Sequence, residues 1–146
     1  MSDPDPDDVW NEVLRWLAHA DSDRRTAAVC LAADPSLLDA ASFHCQQAVE
    51  KLLKGALVWA AVPFRKTHDL SELGEKVISA YPEFAEFVAS TERWTAWNIA
   101  YRYPGDDTPD LPPSPETLSE ALTIIDRLSA LVRLLRQNAP MGRLCG

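Results

Sequence analysis

The sequence predicts an all-α protein: an antiparallel up-and-down bundle of four main helices with one additional short helix. Apolar residues recur at helical spacing through most of the chain. Prolines fall between the periodic stretches, at Pro35, Pro63, Pro82 and Pro104, where helices end or restart. No stretch alternates as a strand does, and none repeats.

Composition bounds the class. The chain has 146 residues, 47% of them apolar and 25% charged, which is enough for one domain with a real core. Residues 1–8 are expected to be a disordered acidic terminus, 9–138 a single helical domain, and 139–146 a flexible tail. The net charge of −8 argues against a general duplex-DNA binder. Much of that acid lies in the N-terminal SDPDPDD and in DDTPD after Gly105, so a local basic site remains allowed. Three cysteines without metal-ligand spacing fit a reducing cytosol, and Cys30 and Cys45 read as small hydrophobes. Neither a signal peptide nor a membrane span is expected. The expected localisation is cytoplasmic.

In order, Trp10, Val13, Leu14, Leu17 and Ala20 start the first helix, with Asp7-Asp8 before it as cap. The polar patch Asp21 to Arg25 interrupts the pattern, but the period resumes at Ala27. One helix is therefore expected from Val9 to about Ala33. The second runs from about Ser36 to Ala61, with Leu38, Cys45, Val49, Leu52 and Ala56 on its apolar side. Gln46, Gln47, Glu50 and Lys54 are assigned to a wet side. His44, Ala48, Lys51, Gly55 and Trp59 form the border, where Ala48 and Gly55 predict a close helix crossing. After a basic loop, Asp69 or Thr67 caps a third helix reaching Ala80. Phe84 to Arg102 reads as an aromatic fourth helix. DDTPDLPPSP is a loop, and Ser114-Pro115 starts a last helix to about Asn138.

Three places could carry chemistry. His44, Lys51 and Lys54 share one side of helix two; the plain alternative is a solvated face with Lys51 paired to an acid. Arg65-Lys66-Thr67-His68 leads into a helix N-terminus, which suits phosphate, although a capping box explains Thr67 to Glu72 equally well. Tyr101-Arg102-Tyr103 sets a guanidinium among aromatics, for a phosphate or base, or for the last helical carbonyls. There is no phosphate-cradling glycine loop, no nucleophile elbow and no His-Glu-x-x-His. His19, His44 and His68 lack ligand spacing, so no metal is expected, and His19 reads as structural.

Together these residues resemble the HEPN family (higher eukaryotes and prokaryotes nucleotide-binding domain). The matching pieces are Ala20-Asp21-Ser22-Asp23, then Phe43-His44-Cys45-Gln46-Gln47-Ala48-Val49-Glu50-Lys51 with Lys54, Thr67-His68-Asp69-Leu70, and Arg102-Tyr103-Pro104. The resemblance implies a helical bundle, usually a homodimer, often encoded beside a minimal nucleotidyltransferase in a toxin–antitoxin-like or defence setting. Many relatives are proposed to bind nucleotides; others are metal-independent ribonucleases with Arg, four to six residues, then His. Here Arg93 is followed by Asn98 and Ala100 at the limits of that spacing, and no histidine follows Arg102. An amide is no general acid or base at neutral pH.

The expected function is binding of a nucleotide or RNA phosphate group, without a cofactor. Lys51, Lys54, Thr67, His68, Arg102 and Tyr103 would bind; Asp23, His44 and Gln47 would support. The rival is a metal-independent ribonuclease drawing its catalytic groups from His44, His68 and Arg102. A third reading is a dimeric interaction module without catalysis.

Overall fold

A computed structural model describes residues 3–98 and 112–137; every described element is helical. Helix α1 spans Pro6–Ala32, α2 Leu38–Ala60, α3 Leu70–Ala80, α4 Ala85–Thr91 and α5 Pro115–Arg133. Short 3₁₀ segments occupy Pro82–Phe84 and Glu92–Asn98.

The long first helix forms as expected, running through Asp21 to Arg25 without a break. It starts earlier than expected, at Pro6. Its cap is Asp5, whose Oδ1 accepts from the Asp7 amide at 2.8 Å, leaving Asp7 and Asp8 as first-turn acids that suit the dipole. The turn after it folds back: the Leu37 amide donates to the Cys30 carbonyl at 2.8 Å, and the Ser36 hydroxyl to Leu31 at 2.7 Å. The α2 helix ends at Ala61 in the left-handed region, φ 59°, with the Val62 amide donating to the Leu57 carbonyl.

Pairs along α1 and α2 run in opposite order. Asp23 meets His44 and Lys51, Trp16 meets Gly55, and Trp10 meets Trp59 edge-on at 5.2 Å, so the two helices are antiparallel. Gly55 marks the predicted close crossing: a Cβ there would lie 3.3 Å from Trp16 Cβ. The α1 and α5 helices are antiparallel as well, tied by Asp21–Arg133 and Arg24–Asp126, with Asp7–Arg136 joining the turn just after α5.

The α2 helix is the hub, packed against α1, α3, α5 and the Glu92–Asn98 segment. A helix surrounded in this way has little wet surface. Gln46, Glu50 and Lys54 are buried, at 0%, 3% and 6% exposure, which corrects the expectation that they face solvent.

The continuous fourth helix is also corrected. Regular α-helix stops at Thr91, whose hydroxyl donates to the Phe87 carbonyl at 2.9 Å. In the 3₁₀ turn that follows, positions three apart eclipse. Trp94 and Trp97 accordingly stack at 4.7 Å and 11°. The Thr95 hydroxyl from this segment accepts the Leu70 amide at 2.9 Å, satisfying an orphan donor at the start of α3. Asp69 is the α3 cap, accepting from Ser71 and Glu72. Ser114 caps α5, which ends as regular helix at Arg133, before the expected Asn138.

Candidate functional site

Two buried carboxylates organise the polar side of α2. Asp23, reaching across from α1, accepts from His44 Nδ1 at 2.8 Å through Oδ1 and from Lys51 Nζ through Oδ2. Glu50, on α2 itself, accepts from Lys54 Nζ at 3.1 Å and from His68 Nδ1 at 2.6 Å. Positions 50 and 54 are one helical turn apart, so the second pair is local; His68 is brought in by the loop before α3. Gln46 closes this cluster, donating from Nε2 to the His68 carbonyl at 3.1 Å and to Glu50 at 3.4 Å. Gln47 donates to Gln46 Oε1 at 2.7 Å.

An ionised carboxylate only accepts hydrogen bonds. Each imidazole therefore carries its hydrogen on Nδ1, and Nε2 is the nitrogen left for another partner. The side chain of His68 is 56% exposed and that of His44 28%, whereas the carboxylates holding them are 4% and 11% exposed. The site thus has buried anchors and accessible imidazoles.

The cations differ. Lys51 keeps 23% of its side chain exposed and remains reachable. Lys54 is enclosed: its ammonium rests on Glu50 and stands 5.8 Å from the Trp16 ring centroid and 6.0 Å from that of Phe64. Of the loop residues, Thr67 accepts the Asp69 amide at 3.1 Å. Arg65 forms a fork with Glu72 at 2.7 and 3.0 Å. Those hydrogen bonds draw the Glu72 carboxyl below its usual range and raise Arg65. Burial pushes the neighbouring Cys45 thiol up to about 12, so it packs as a neutral hydrophobe, as expected. Arg102 and Tyr103 lie outside the described residues. The structure therefore brings together Asp23, His44 and Lys51, and, beside them, Gln46, Gln47, Glu50 and Lys54 of α2 with His68 from the loop before α3.

Sequence reasoning missed one place. A cleft of about 410 Å³ is lined by Glu12, Arg15, Trp16 and His19 of α1 and by Lys51. His19 is exposed there, which corrects its reading as structural. The available signal was the 12, 15, 16, 19 spacing, one face of a helix carrying both charges and a ring. Among the described residues no group of His, Cys, Asp and Glu could hold a metal ion. No described helix is long and apolar enough to cross a membrane.

The HEPN domain family model matches residues 13–137. No curated protein matches, and no solved structure does.

Proposed function

Because the chain belongs to the HEPN family, we propose that it binds a nucleotide or RNA phosphate group on the polar side of α2. The observation that carries this reading is the pair of imidazoles held through Nδ1 by buried carboxylates, with Lys51 beside one of them. Each offers Nε2 at an accessible edge; protonated on both nitrogens, an imidazole held this way donates from Nε2 to a phosphate oxygen. In this reading Lys51, His44 and His68 touch the ligand. Lys54 and Gln46 act behind them by fixing Glu50, Gln47 fixes Gln46, and Thr67 shapes the loop carrying His68. Arg102 would add a guanidinium and Tyr103 a stacking face.

The finer expectations belong to the same proposal. They are a single domain over residues 9–138 closed as an up-and-down four-helix bundle, a homodimer in the cytoplasm, and a minimal nucleotidyltransferase partner in a toxin–antitoxin-like or defence setting. Antiparallel α1–α2 and α1–α5 pairing supports the first. The identity of the adjacent gene tests the last.

Titrating ATP, GTP and short RNA into the wild type and into Arg102→Ala tests the binding. Saturable binding weakened about tenfold or more by the substitution is expected, the scale of one charge-assisted contact. Equal binding by both proteins, or none by either, overturns it.

The same imidazoles favour one second reading, a metal-independent ribonuclease. A carboxylate that fixes the tautomer and leaves Nε2 accessible prepares a histidine for proton transfer. Cellular RNA incubated with the protein in EDTA separates the two. Cleavage abolished by His44→Ala or His68→Ala selects the enzyme; intact RNA at high protein concentration rejects it.

A further inference from the structure

The cleft on α1 is distinct from the His68 edge and shares only Lys51 with the cluster around Asp23. Its volume, about 410 Å³, falls in the range of small-molecule sites. Its walls come from two elements. Glu12, Arg15, Trp16 and His19 fall at one-turn intervals along α1, and Lys51 enters from α2.

Surface cations among the described residues divide into paired ones and unengaged ones, Arg25 and Arg127 being among the latter. Arg24, Arg65, Arg133 and Arg136 each rest on a carboxylate. Among the described residues Arg15, His19 and Glu12 have no hydrogen-bond or ion-pair partner, although Glu12 and Arg15 are spaced to pair. Lys51 is the opposite case. Asp23 holds its ammonium through one contact, which fixes its position while two of its three hydrogens remain. The cleft therefore combines one held cation, one unengaged planar fork, an imidazole and an indole wall. A guanidinium fork matches the oxygens of a phosphate two at a time. The indole offers a flat apolar surface to a base. Glu12 supplies the acceptor that sugar hydroxyls or an exocyclic amine require.

We propose that this cleft holds a mononucleotide, its phosphate on Arg15, His19 and Lys51 and its base against Trp16. The choice of a nucleotide over other ring-bearing anions rests on the family reading above; the site itself rests on the cleft. Arg15 and His19 are exposed, so their loss leaves the core intact.

The test is calorimetric titration of AMP, adenosine and inorganic phosphate into the wild type, Arg15→Ala, His19→Ala and the control Arg127→Ala. Circular dichroism melting of each variant confirms that it folds. Arg15→Ala should weaken AMP binding at least about tenfold, the equivalent of one charge-assisted hydrogen bond, and His19→Ala by less. Arg127→Ala, which removes an exposed charge on α5, should change it less than twofold. Adenosine should bind at least about tenfold more weakly than AMP. Equal binding of AMP and adenosine overturns the assignment of the phosphate. Undiminished AMP binding in both cleft variants, or an equal loss in Arg127→Ala, overturns the cleft while leaving the family reading intact. No AMP binding by the wild type overturns the cleft; the family reading falls only if ATP, GTP and short RNA also fail to bind. A short RNA with and without a 5′-phosphate, run alongside, tells whether the phosphate comes from a free nucleotide or an RNA end.

Discussion

At the scale of single residues, the informative ones are polar and buried. Glu50 is 3% exposed and receives Lys54, His68 and Gln46. Replacing it with leucine strands an ammonium that has 8% of its side chain exposed and takes the acceptor from His68 Nδ1, while Gln46 keeps the His68 carbonyl. Breaking a buried pair from one side costs about 3–5 kcal/mol, whereas replacing both partners by apolar groups is often close to neutral. Glu50→Leu should therefore lose about 3–5 kcal/mol in urea unfolding, and Glu50→Leu with Lys54→Met should recover most of it. Equal losses in the single and double variants would mean that the Glu50–Lys54 pairing is not what the single change disrupts. The residue types of this cluster were legible in the sequence, as was the pairing of Lys51 with an acid. Burial was not. Periodicity separates polar from apolar positions, and a polar face reads as wet unless its partners are known. Those partners stand 28 residues away at Asp23 for Lys51 and 18 away at His68 for Glu50.

At the scale of elements, two helix ends and one crossing show what local signals do and do not fix. Asp69 and Ser114 cap where a cap was expected, because a side-chain acceptor facing the first amides is a local property. The kink of the aromatic segment at Thr91 was not legible. It depends on Thr95 reaching the α3 amide and on two stacked indoles, both of which favour 3₁₀ geometry. Two substitutions of opposite direction follow from the backbone. Ala61 caps α2 at φ 59°, where a Cβ is strained, so Ala61→Gly should stabilise by up to about 1 kcal/mol. Gly74 lies under α4: a Cβ there would collide with Val88 Cγ1 and stand 3.2 Å from its Cγ2. Val88 is itself buried. Gly74→Ala gains about 1 kcal/mol of helix propensity. It must also displace a packed side chain, an overpacking cost of about 1–3 kcal/mol. A net loss of up to about 2 kcal/mol by thermal unfolding is expected. Higher stability in Gly74→Ala, or lower in Ala61→Gly, would count against this account.

At the scale of the molecule, the question is what fixes α5 against α1. The visible candidates are the ion pairs Arg24–Asp126 and Asp21–Arg133, with Asp7–Arg136 from the turn just after α5, and their order along the chain is strictly antiparallel. All three are exposed, with 31–71% of each side chain in solvent. Pairs of this kind contribute about 0.2–1 kcal/mol each, and salt screens them. Their carboxylates also belong to a chain of net charge −8, so their loss relieves some repulsion. Beneath them lie Leu118, Ala121, Ile125, Leu128 and Val132, each at most 2% exposed, and the Trp59 indole, which donates to the Leu135 carbonyl at 3.1 Å. Burying one large aliphatic side chain is worth about 1.5–3 kcal/mol, so a few core contacts outweigh all three pairs. The triple variant Asp7→Asn, Asp21→Asn, Asp126→Asn should therefore keep its helix content and lose less than about 2 kcal/mol in urea, with most of that loss absent in high salt. Leu128→Ala alone should cost more, about 2–5 kcal/mol. A triple variant that unfolds, or that loses more than Leu128→Ala does, would place the orientation of α5 in the surface pairs. The expected order of the two losses places it in the buried stripe, which the apolar period of α5 already predicts.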